Sequence, residues 1–101
     1  MIKSIVEIDA DLQDLVPQFV ENRKKDIETL RALVQKDDLN AISQLAHKIK
    51  GAAAGYGFNE LSELAAQMEK ASKGNDHDPL PELVKRMETH FLNIEIRYVN
   101  M

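Results

Sequence analysis

The chain has no cysteine, which excludes disulfides, thiolate metal sites and cysteine nucleophiles, and makes an intracellular home the natural expectation. It also lacks any apolar run long enough for a membrane span, and the opening Met1-Ile2-Lys3-Ser4-Ile5-Val6-Glu7 is interrupted by charge too early for a signal peptide. These absences predict a cytoplasmic protein with no membrane contact. Positive charge is not in surplus: the formal net charge of -4 disfavours duplex nucleic acid and anionic membranes, which both demand an excess of Lys and Arg. Length is scarce as well. A chain of 101 residues, 44% hydrophobic and 30% charged, suits one compact domain spanning 1–101 and leaves no room for a separate nucleotide-binding unit. A self-sufficient kinase is therefore not expected.

Strand signals are nearly absent, whereas helical periodicity recurs four times. Ile5 to Ile8 is expected to form an extended lead-in before a short helix capped by Asp9 or Asp11. Pro17 suits the first turn of a longer helix, with Phe19, Val20, Ile27, Leu30, Leu33 and Val34 as its stripe and an end near Lys36. Asp37 and Asp38 offer a cap for the next helix, where Ile42, Leu45, Ile49 and Ala53 share one face to about Ala54. Gly55-Tyr56-Gly57 should then break the chain, with Gly57 as the turn. A third stripe of Leu61, Leu64, Ala65 and Met68 follows Asn59 as a cap, and Gly74 to Asp78 reads as a loop. Asp78-Pro79 should start the last helix, marked by Leu80, Leu83, Val84, Met87, Phe91, Ile94 and Tyr98. Long helices with short connections prefer antiparallel neighbours, so the expected fold is an all-α, up-down-up-down four-helix bundle.

The chemistry concentrates at His47. At roughly 100° per residue, its side chain points about 160° away from the Ile42, Leu45, Ile49 and Ala53 face, toward water. Gly51 and Ala54 lie on the same side with Gln44 nearby, so the surface around the imidazole is bare. Side chains tilt toward the helix N-terminus, and a residue at i+4 would lie over His47; Gly51 leaves it uncovered. Glycine inside a helix costs about 1 kcal/mol relative to alanine, and access to His47 is the compensating gain. Lys50 at i+3 can balance the charge of a phosphoryl group, Lys48 flanks it, and Arg23, Lys24 and Lys25 of the preceding helix are expected to extend the positive field. Histidine as a residue type offers a neutral, nucleophilic ring nitrogen near pH 7. Taken singly, a solvent-facing histidine and scattered lysines are ordinary surface residues; the glycine and lysine spacing sets this one apart.

Other readings are weaker. His77 sits in the polar loop, and His90 stands near Met87, Phe91 and Ile94, where packing is the expected role. Tyr56 and Phe58 are likewise expected to pack. A di-iron bundle needs Glu-x-x-His pairs, but Gln44 and Met87 occupy the positions three before His47 and His90, so no metal site is expected. The segment from Gly51 to Gly57 lacks the Lys-Ser or Lys-Thr of a Walker loop, and no ATP binding is expected.

His47-x-x-Lys50-Gly51, with Gly57 and Leu61 at fixed offsets, resembles the signature of the histidine phosphotransfer (HPt) family. The resemblance takes in the Arg/Lys cluster of the preceding helix, the Lys36-Asp37-Asp38 connection and the Met68-Glu69 position, covering most of residues 11 to 98. Ala52 stands where many relatives have Ser, which removes a minor polar contact. The resemblance implies phosphorylation of His47 at Nε2, assistance from Lys50 and clearance from Gly51. It also implies a stoichiometric carrier between response-regulator receiver domains, whether free or within a hybrid sensor kinase. The carrier would bind no cofactor itself, Mg²⁺ residing on the receiver, and would act as a monomer through Gln44, Lys48, Ala54, Arg23 and Lys24. Two rivals share the bundle: an unphosphorylated docking or inhibitory module for a kinase or receiver, and an assembly domain that dimerises through the bare face. The initial Met1 favours a free protein over a domain of a larger kinase.

Overall fold

The computed structural model describes residues 4–100; Met1, Ile2 and Lys3, part of the opening segment read above against a signal peptide, lie outside the described residues. Strand β1 (Ser4–Asp9) leads through a single 3-10 turn (Ala10–Leu12) into helices α1 (Val16–Lys36), α2 (Leu39–Tyr56), α3 (Asn59–Lys73) and α4 (Leu80–Asn93), and the chain closes with strand β2 (Ile94–Val99). The helices form a ring in which α1 packs on α2 and α4, and α3 on α2 and α4. The α1–α4 and α2–α3 grooves thus lie on opposite sides of the bundle.

Local chemistry fixes each junction. The Asp9 carboxylate accepts from the Asp11 N–H at 3.0 Å and starts the 3-10 turn. Asp37 adopts a left-handed conformation (φ 59°) and Asp38 accepts from the Ala41 N–H, so two consecutive acids end α1 and cap α2. Gly57 (φ 92°) ends α2; the Phe58 N–H reaches back to the Ala53 carbonyl at 2.9 Å, and a side chain at 57 would also meet the Glu7 carbonyl of β1. This reversal drops Phe58 into the core, where Phe19 stacks on it at 4.8 Å and on Tyr56 at 4.4 Å. Such aromatic pairs contribute about 0.5–1.5 kcal/mol beyond area burial.

Several boundaries differ from the expectations. Gly55 lies inside α2, which runs on to Tyr56, because only Gly57 takes the left-handed conformation. Asn59 and Asp78 do not cap: Phe58 and Pro79 occupy the N-cap positions of α3 and α4, without side-chain hydrogen bonds. The last helix stops at Asn93, and Ile94 and Tyr98 belong to β2, which pairs in parallel with β1 in the register Val6 with Ile96 and Ile8 with Tyr98. The alternation Ile94-Glu95-Ile96-Arg97-Tyr98-Val99 favours a strand once a partner exists, and that partner is contributed by the other end of the chain. The whole bundle serves as the crossover that a parallel pair requires.

His90 anchors this end. Its side chain is 1% exposed, Nδ1 lies 3.1 Å from Glu60 Oε2, and Nε2 has no partner among the described residues. Burial pushes its pKa below the usual 6.5, with Glu60 opposing. The unfolded chain therefore binds more protons below about pH 6.5, and the stability that neutral His90 permits is full above that pH and lost as pH falls through the lower folded value. The thermal midpoint should fall between pH 7 and 5.5, and His90→Gln should flatten that slope; equal slopes in the two proteins would contradict the assignment.

Candidate functional site

Helix α2 buries Ile42, Ala46, Ile49 and Ala53, which leaves His47 on the opposite face with its side chain 68% exposed. Small residues at the helix contact, Ala46 and Ala53 on α2 and Ala65 on α3, are fully buried, so the backbones approach closely. The Ser62 hydroxyl adds a tie by donating to the Lys50 carbonyl at 3.0 Å. This proximity sets Glu69 of α3 against His47 and Lys50 of α2.

Glu69 is the organising group. Its side chain is only 8% exposed and receives three contacts: His47 Nδ1 at 2.8 Å and Lys73 Nζ at 3.1 Å on Oε2, and Lys50 Nζ at 2.7 Å on Oε1. Hydrogen bonds from Lys50 and Lys73, with a further one from His47, outweigh burial and hold its pKa at about 2. An ionised carboxylate can only accept, so in the neutral imidazole Nδ1 carries the proton and Nε2 is left with a free lone pair. The imidazole is thus oriented by one nitrogen and nucleophilic at the other.

Gly51 is exposed, and a Cβ built there would meet nothing within 4 Å. The fold itself does not call for glycine at this position, which leaves clearance for an approaching body as the physical use. Gln44, Lys48 and Ala54 are exposed on the same helix. Gln44 joins Ser43, His47, Glu69 and Lys73 around a shallow hollow of about 340 Å³.

Two expected contributors are placed elsewhere. Arg23 is buried; its guanidinium lies 5.2 Å from the Phe19 ring, and its Nε pairs with Asp26 Oδ2 at 2.9 Å without the angle of a hydrogen bond. The Phe19 ring and an acid one turn away claim it, so it adds little to the field at His47. Lys24 lines the α1–α4 groove with Ile27, Glu88 and Phe91, across the bundle from the α2–α3 groove. The remaining histidines have their own partners, His77 with Asp37 and His90 with Glu60.

In the sequence pattern Glu69 has a place in the family resemblance but no role, and Lys73 does not stand out. Both carry a signal. Glu69 falls at i+8 from Leu61 and i+4 from Ala65, an acid within an apolar stripe, and a buried acid needs cationic partners such as a lysine at i+4.

The family model for the Hpt domain matches residues 14–96. The match covers most of the chain, and the chain belongs to the Hpt domain family. Members of that family act in histidine phosphotransfer with receiver domains and have no kinase activity of their own. No curated protein and no solved structure matches the chain. Among the described residues no helix is long and apolar enough to cross a membrane.

The carboxyl carbon of Glu69, followed by NMR, should titrate near pH 2. The stability contributed by this carboxylate is full above about pH 4.5 and declines as pH falls toward 2. A midpoint near 4.5 would show that the lysines do not hold it.

Proposed function

We propose that this chain accepts a phosphoryl group on His47 Nε2 from the aspartyl phosphate of one receiver domain and passes it to the aspartate of another. The observation that carries the reading is the Glu69 contact to Nδ1, which leaves the exposed Nε2 as the nucleophilic nitrogen. Positioning a nucleophile is all that this chain need supply, because the receiver brings its acidic pocket and Mg²⁺ to stabilise the transferring group. Lys50 keeps a positive charge within one turn of His47, and Gly51 gives the receiver clearance. Gln44, Lys48 and Ala54 form the contact surface on α2. The carrier works as a monomer in the cytoplasm, the compartment that this role calls for. Its complexes are small and salt-sensitive, since lysines at the rim steer encounter with an acidic pocket.

Incubation with a panel of phosphorylated receivers and Mg²⁺, read by mass spectrometry under non-acidic conditions, tests the proposal. Wild type should carry an acid-labile phosphate on His47. His47→Gln should accept none while remaining folded, and Gly51→Leu should keep its helicity yet transfer at least about tenfold more slowly because it covers the imidazole. Acceptance by His47→Gln would overturn the site. No transfer from any receiver to folded wild type would favour an unphosphorylated docking module.

A further inference from the structure

Across the bundle from His47, α1 and α4 enclose a groove that the phosphocarrier role does not use. It consists of two hollows in line. Ile27, Phe91 and Leu92 line the first, with Lys24 at its edge; Val34, Pro81 and Val84 line the second, with Lys85 at its edge. Arg31 and Glu88 border both hollows and bridge the helices between them, Arg31 Nε donating to Glu88 Oε1 at 3.0 Å. Leu92 is 82% exposed, more than any other large hydrophobic residue among those described. The two walls share one spacing: Ile27 to Val34 on α1 and Phe91 to Val84 on α4 are each an interval of seven residues, or about 10.5 Å along a helix.

We propose that this groove docks one amphipathic helix of a partner protein, which inserts two apolar side chains seven residues apart into the two hollows and carries acidic residues on its flanks. After seven residues a helix returns to nearly the same face, so one rod laid along the groove fills both hollows at once. Between those anchors the rod meets the Arg31–Glu88 pair, where an amide side chain can accept from one and donate to the other. Charge selects an acidic partner. Three cations, Lys24, Arg31 and Lys85, stand along the groove against two acids, Glu28 and Glu88, a local surplus on a chain of net charge -4. Arg31 is paired with Glu88, whereas Lys24 and Lys85 have no ion-pair partner among the described residues. A second copy of this chain does not fit the groove: its exposed large hydrophobic residues, Ile5, Leu15 and Leu92, fall in three separate parts of the chain, so no helix offers two exposed anchors at that spacing. Because His47 lies on the other side of the bundle, a helix held here leaves the imidazole uncovered.

Three stapled helical peptides, titrated into the ¹⁵N-labelled full chain and followed by NMR, test the proposal. The first has leucines at i and i+7, a glutamine between them and glutamates on its flanks; the second replaces the glutamates with lysines; the third keeps the glutamates but sets the leucines five residues apart, on different faces. The first should perturb amides of α1 and α4, leave the His47 signals unmoved, and bind at least about tenfold more tightly than either of the others. L92E should weaken it about tenfold or more without loss of fold, because Leu92 is exposed and its burial by the peptide supplies the gain. The double substitution K24E and K85E should turn the preference to the lysine peptide. Failure of the first peptide to bind, equal binding of any two peptides, or perturbation centred on α2 and α3 would overturn the proposal. So would self-association of the free chain that sedimentation detects and L92E abolishes, since the groove would then belong to a second copy.

Discussion

A carboxylate held at the seam between two helices is the constraint on which the site depends. Removing Glu69 from water is costly, and the cost is offset only because three donors converge on its two oxygens. Each donor is thereby fixed in place. Lys50 and His47 come from successive turns of α2 and Lys73 from α3 itself, so the carboxylate locks the axial register of the two helices and the orientation of the imidazole together. Loss of any one partner leaves the other two less well placed.

The rest of the bundle serves that seam. Alanines at the α2–α3 contact permit the close approach, and Gly57 reverses the chain tightly enough for α3 to return along α2. Phe58, carried inward by the same reversal, keys the turn to Phe19 of α1. The terminal strands close the end of the bundle near Gly57 and His90, where the Glu7 carbonyl abuts the turn. The side of α2 bearing His47, Gly51 and Ala54 stays exposed, as the proposed carrier role requires.

Much of this was legible in the sequence because helical periodicity is a local signal. The stripes located four helices, and the angular position of His47 placed it in solvent. Non-local features were less accessible. Ile94 and Tyr98 fit a helix stripe and a strand equally well until Val6 and Ile8, some ninety residues earlier, supply a partner. Arg23 and Lys24 are adjacent in a basic cluster, yet helix geometry turns one toward Phe19 and the other toward α4. Within α3 the sequence shows only an acid, Glu69, in an apolar stripe with Lys73 at i+4; its contacts with His47 and Lys50 appear only when α3 lies against α2. Asn59 and Asp78 are good caps by composition, but the turns before α3 and α4 placed Phe58 and Pro79 at the cap positions instead.

In the proposed role, Glu69 holds the proton of neutral His47 on Nδ1 and so leaves Nε2 free to accept the phosphoryl group. Long-range ¹H–¹⁵N correlation at a pH where His47 is neutral measures this directly. Wild type should show a protonated-type shift for Nδ1 and an unprotonated one for Nε2, with that preference lost in Glu69→Ala. A proton on Nε2 in wild type, or the same tautomer in both proteins, would contradict it.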